Sequence, residues 1–204
     1  MIGFKKQFIF LHPPRTGGTS VENYLRDYTE FPDQITRQGN LRHFPMHMYS
    51  EIFGKSIKDF YKFSIVRNPW DRMISYYFHL FGEYREEAFD QMLMLAGKKG
   101  KLQQGGFPRE GTPYFDFTSC TQWLNEDIRY EGQVEYIRFE NLQEDFENVC
   151  GILDIVKRKL DWTNRTIGVD REHYSKYYNE KRANLIAEVY ADDIENFNYK
   201  YETV

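Results

Sequence analysis

The stretch FIFLHPPRTGGTSVENYL, residues 8–25, constrains the fold most: an apolar run enters a Pro/Gly turn and leaves it as a helical pattern. The turn delivers Arg15, Thr16, Thr19 and Ser20 to the start of that helix. A helix N-terminus has backbone N–H groups without intrahelical partners and carries a partial positive charge. Main chain, hydroxyls and one guanidinium can therefore hold a phosphate or sulfate together. Gly17 and Gly18 are expected to let the backbone come close to such an anion. The order differs from the nucleotide-triphosphate loop, which needs a leading Gly, four spacers and then Gly-Lys-Ser/Thr. Here Thr19 occupies the Lys position, and the cation, Arg15, lies upstream of the glycines.

A second strand-to-helix junction follows in FSIVRNPWDRMISYYF, residues 63–78. Arg67 ends an apolar strand, Pro69 enters the first helical turn, where its missing N–H costs little, and Ser75 lies about two turns on. Two separated anion sites suit a ligand with phosphates at two ends.

Short apolar runs at 7–11 and 62–66, each leading through a turn into a helical pattern (19–28 and 70–81), predict parallel strands. Residues 134–138 read as a third strand of this kind. Further helices are expected over 47–54, 85–96, 141–159 and 179–197, the last with Leu185, Ile186, Val189, Ile194 and Phe197 near helical spacing. The fold class is therefore α/β, P-loop-like and three-layered, with a central parallel β-sheet flanked by helices. At 204 residues the chain is expected to form one domain, 1–204. Residues 98–114 are rich in Gly, Lys and Gln and show no period, which predicts a long loop or lid that covers an acceptor, or else a solvated connection.

The paired motifs PRTGGTS (14–20) and RNPWDRMISYY (67–77) resemble those of the PAPS-dependent sulfotransferases, and within them the carbohydrate type related to uronyl 2-O-sulfotransferases and their bacterial and viral relatives. The resemblance continues through YIRFENLQEDFENVC (136–150) and HYSKYYNEKRANLIAEVYADDIENFNY (173–199). It implies that Arg15, Thr16, Gly17, Gly18, Thr19 and Ser20 hold the 5′-phosphosulfate of 3′-phosphoadenosine-5′-phosphosulfate (PAPS). Arg67 and Ser75 would hold its 3′-phosphate, and the product would be the bisphosphate PAP. Where the family usually carries Lys, this chain has Arg15, whose guanidinium forks to two oxygens while an ammonium is a compact point charge.

Sulfuryl transfer to an alcohol needs a base for the hydroxyl proton, and histidine is the usual choice. Of His12, His43, His47, His79 and His173, the resemblance points to His43, because relatives place a His in a similar position ahead of a short helix and the RNP strand. His47, four residues on, is the alternative. His12, followed by two prolines, is expected mainly to shape the turn. Glu22 reads as a charge favoured by the helix dipole, as does Asp71, while Arg72 is expected to pair with a neighbour one turn away. Glu140 and Asn141 are expected to anchor a turn beside the site. The reaction implied is an in-line, metal-free transfer in which Arg15 stabilises the departing 5′-phosphate. The acceptor is a hydroxyl, by resemblance that of a glycan.

Charge supports this distribution of roles. The chain carries a net charge of −4, yet residues 1–80 hold 11 Lys/Arg against 7 Asp/Glu and the remainder 16 against 24, so positive charge concentrates where the anion motifs lie. So modest a surplus argues against nucleic-acid binding. Two cysteines, Cys120 and Cys150, form neither a disulfide framework nor a metal spacing, which suggests a reducing compartment. The apolar opening is too short for a signal or a spanning segment, so a soluble, cytoplasmic protein without membrane insertion is expected.

Two other classes share parts of the pattern. A nucleotide or small-molecule kinase with an atypical phosphate loop should show the Gly-Lys-Ser/Thr order and carboxylates for magnesium. A non-catalytic module for nucleotides or sulfated glycans would keep the cradles without needing a base.

Overall fold

Residues along a strand alternate between two faces, and the runs around Phe10 and Ile65 are apolar on both, so each face must be covered. The computed structural model describes residues 1–30, 46–100, 117–125, 134–161 and 171–204, apart from the side chains of 98–100 and 125. In chain order the elements are β1 (Ile2–Gly3), β2 (Phe8–Leu11), α1 (Gly18–Leu25), α2 (Met46–Phe53), β3 (Tyr61–Val66), α3 (Pro69–Phe81), α4 (Glu86–Gly100), α5 (Cys120–Asn125), β4 (Glu135–Arg138), α6 (Leu142–Ile152), α7 (Glu180–Val189) and α8 (Ala191–Phe197). No helix among the described residues is long and apolar enough to cross a membrane. Packing groups the described parts of Met1–Arg67 and Gln122–Arg165 into one unit and those of Asn68–Thr121 and Thr166–Val204 into another.

The first unit holds a sheet in the order β1-β2-β3-β4, in which β1 runs antiparallel to β2 while β2, β3 and β4 are parallel. Phe8, Phe10, Phe63, Ile65 and Ile137 pack in one core with Val21 and Leu25 of α1 and with Leu142, Phe146 and Val149 of α6. Ile9 and Leu11 go to a second core with Met46 and Tyr49 of α2, Ile57 and Phe60. Helices thus cover a mostly parallel sheet, the α/β arrangement that the strand-helix alternation predicts. Parallel pairing brings the C-terminal ends of β2, β3 and β4 to one edge of the sheet, where α/β proteins place their ligands.

The second unit is helical. Trp70, Met73, Ile74 and Tyr77 of α3 share a core with Phe89, Met92, Leu93 and Ala96 of α4 and with Ile186 of α7. Arg182 ties α7 to α4, with Nε 2.6 Å from Asp90 Oδ1 and Nη2 2.6 Å from Glu86 Oε1. The buried Asp193 of α8 caps α5, its two oxygens accepting from the backbone N–H of Cys120 at 2.9 Å and Thr121 at 2.7 Å.

Several boundaries differ from expectation. The helix expected over 141–159 stops at Ile152, because Asp154 adopts a left-handed φ of 50° and turns the chain so that Ile155 and Leu160 rejoin the first core. The helix expected over 179–197 breaks at Tyr190, whose φ of −113° and ψ of 32° end α7 while its side chain is buried. Conversely, α4 runs on to Gly100, so residues 98–100 are helix rather than the start of a loop. Gly97 lies within it, and a Cβ there would come within 3.3 Å of Leu185. The remainder of the expected lid, 101–114, lies outside the described residues. Neither β1 nor α5 was expected, each being too short to show a period.

Candidate active site

A strand that ends against a helix must reverse within a few residues, and Pro13 to Gly17 do this between β2 and α1. The Thr16 hydroxyl is buried and donates to the Pro13 carbonyl at 2.7 Å, which closes the turn locally. The Thr16 hydroxyl is thus committed to the turn, which leaves its backbone as the part that could face an anion. Arg15 and Gly17 both have left-handed φ values, 65° and 86°. For a non-glycine residue this costs about 1–3 kcal/mol unless the surroundings hold it, and such strain concentrates at functional sites.

Gly17 is the N-cap of α1 and, lacking a side chain, offers that helix no side-chain cap. Its first turn therefore keeps the polar character that suits an anion. Ser20, in that first turn, is buried, and Thr19 is half-buried. The two glycines also lie against protein rings. A Cβ on Gly17 would come within 2.7 Å of Phe139, and one on Gly18 within 2.2 Å of the His12 ring. A side chain at either position would therefore meet a protein ring.

His12 is buried, stacks on Phe10 with ring centroids 5.8 Å apart, and places Nδ1 2.9 Å from Glu22 Oε1. Glu22 is itself buried, so it is a partner for His12 rather than a solvent-facing charge at a helix start. Burial, with the Glu22 charge adding to it, also holds the Tyr49 hydroxyl above its ordinary range.

Arg67 follows β3 directly and is buried in the same unit. Its Nη1 donates to the Arg15 carbonyl at 2.9 Å, and its guanidinium carbon lies 3.8 Å from the centroid of the Phe139 ring. Phe139 in turn follows β4. Arg15, Arg67 and Phe139 thus come from the ends of three adjacent parallel strands. The fold brings the two sequence-predicted arginines together; Phe139 is the residue that sequence reasoning missed. Its place in RFENL, between the strand pattern and the helical one, shows no period that would single it out.

The second helix start differs from the first. Asn68 caps α3, its Oδ1 accepting from Trp70 N at 3.1 Å and Asp71 N at 3.3 Å. An anion held by the second motif would therefore rest on side chains rather than on that helix terminus. Ser75 is buried on α3, in the second unit, whereas Arg67 belongs to the first. Asp71 pairs with Arg171, and Arg72 donates to the Thr118 carbonyl at 3.0 Å rather than to a neighbour one turn away. His43 lies outside the described residues, while His47 is half-buried on α2. His79 is exposed at the end of α3, and His173 caps a short 3₁₀ turn.

A model of the sulfotransferase family matches residues 2–200. Comparison with curated proteins and with solved structures returned no match.

Proposed function

Since this chain belongs to the sulfotransferase family, that of the uronyl 2-O-sulfotransferase-like enzymes, we propose that it moves the sulfuryl group of PAPS to a hydroxyl of a carbohydrate acceptor. Sulfuryl transfer is the chemistry of the family. Donor, acceptor class and residue roles are our reading. The observation that carries it is the N-terminus of α1, with glycine at its N-cap, fed by a left-handed loop that bears Arg15 at the C-terminal edge of parallel strands.

In this reading the acceptor oxygen attacks sulfur in line as His43 takes its proton, with His47 as the alternative base. The bond between sulfur and the bridging oxygen breaks, leaving its electron pair on the 5′-phosphate, where Arg15 and the amides of residues 16–20 stabilise the charge. The hydroxyls of Thr19 and Ser20 complete that cradle. Arg67 takes the 3′-phosphate, where a fork of N–H donors adds orientation to charge. The assignment of Ser75 to the same phosphate rests on the RNPWDRMISYY motif. No resident metal is part of the scheme. The family match spans 2–200, which supports reading 1–204 as one sulfotransferase domain. The buried free thiols of Cys120 and Cys150 suit a reducing, cytoplasmic setting.

The test is incubation with labelled PAPS and a panel of glycans, with and without chelator, for the wild type, His43→Ala and His47→Ala. Transfer to a saccharide in the presence of chelator is expected, with kcat lowered about 10²-fold or more by removal of the base. Absence of transfer to every saccharide would overturn the carbohydrate assignment, and loss of transfer with chelator would overturn the metal-free scheme.

A further inference from the structure

The guanidinium of Arg67 is engaged on two sides: Nη1 on the Arg15 carbonyl at 2.9 Å, and the planar face on the Phe139 ring at 3.8 Å. The same ring occupies the place a Cβ would take on Gly17, at 2.7 Å. One aromatic ring therefore touches both the N-cap of α1 and the arginine that follows β3. Between these contacts lies a loop with two left-handed residues, Arg15 at φ 65° and Gly17 at φ 86°. A non-glycine residue keeps such a conformation only where neighbours over-determine it. The hydrogen bond from Arg67 fixes the carbonyl of that very residue, and the Phe139 ring backs the guanidinium from which the bond is made. A guanidinium carries five N–H donors in one plane, so a donor spent on Arg15 is compatible with others directed at a ligand.

We propose that Arg67 and Phe139 form a strut that holds the first anion loop in its binding shape, so that Arg67 acts on the 5′ end of the donor as well as on its 3′-phosphate. The inference rests on the PAPS reading given above. Phe139 is then a positioning residue, acting through Arg67 and Gly17 without touching the reacting atoms. The two phosphate sites are coupled through one side chain, and damage at the second motif is felt at the first.

The experiment compares two ligands on wild type, Arg67→Ala, Phe139→Leu, Phe139→Tyr and the Arg67→Ala/Phe139→Leu double variant. One ligand is the bisphosphate PAP. The other is adenosine 5′-phosphosulfate, which lacks the 3′-phosphate, read by displacement calorimetry so that weak binding is measurable. Thermal melts select variants that remain folded. The strut predicts that Arg67→Ala and Phe139→Leu each weaken the 5′-only ligand about tenfold, the scale of one charge-assisted hydrogen bond. Phe139→Tyr, which keeps the ring, should restore affinity, and Phe139→Leu should add little in the Arg67→Ala background. Variants that weaken PAP alone, a wild type that binds PAP but never the 5′-only ligand, or fully additive losses in the double variant would overturn the strut. Failure of the wild type to bind PAP would instead overturn the donor assignment.

Discussion

His12 Nδ1 lies 2.9 Å from Glu22 Oε1, and both side chains are almost wholly removed from water. This pair joins the end of β2 to the second turn of α1 across the anion loop, and Gly18 fits against the His12 ring. Glu22→Ala removes the buried carboxylate that faces His12, a loss of about 0.5–3 kcal/mol. Urea unfolding should show it as a lower midpoint with an unchanged slope. An unchanged midpoint would remove the pair from any account of the loop.

Gly18→Ala places a methyl group where the His12 ring stands, at 2.2 Å, and Gly17→Ala adds a side chain at φ 86° against Phe139. Both should weaken PAP binding by about tenfold or more, through distortion of the loop rather than contact with the ligand. Calorimetry decides this. If alanine at both positions left affinity intact, the loop would have room that its geometry denies.

Arg15→Ala removes the cation assigned to the leaving phosphate, and kcat should fall by about 10²–10³-fold, the usual scale for losing one preorganised donor. Arg15→Lys should retain more of the rate, because a point charge replaces a fork. Steady-state kinetics with labelled donor separate the outcomes. A rate for Arg15→Ala close to wild type would exclude Arg15 from the chemistry.

Asp193 accepts backbone hydrogen bonds from Cys120 and Thr121 while wholly buried. Asp193→Ala leaves two N–H groups without their acceptor and should cost about 2–4 kcal/mol. The measurement is denaturant unfolding followed by tryptophan fluorescence. A loss below about 0.5 kcal/mol, the range of ordinary surface substitutions, would contradict the capping role.

Hydrogen bonding to Arg182 holds the Asp90 carboxyl below the usual aspartate range. Its folded value lies under the unfolded value of about 3.9, so the pair adds stability above that pH and loses it as pH falls through the folded value. The Asp90 side chain is 49% exposed, so solvent screening keeps the effect small. Asp90→Asn should lower the melting temperature at pH 7, with the difference shrinking towards pH 3. A gap of equal size at both pH values would show that the charge is not responsible.

The sequence alone determined the strand-turn-helix around Arg15, the parallel strands near Phe10, Ile65 and Ile137, and the motif positions of Arg67 and Ser75. These follow from local apolar periodicity and from turn chemistry, which act over a few residues. Tertiary structure alone decided that Phe139 would back both Gly17 and Arg67, that Glu22 would face His12, and that Asn68 would close the second helix start. It also decided that the chain would turn at Asp154 and break at Tyr190. Those outcomes depend on which side chains meet after the strands pair and the cores close, and such encounters leave no period in the chain. For that reason both arginines of the site could be read in advance, whereas the ring that holds them together could not.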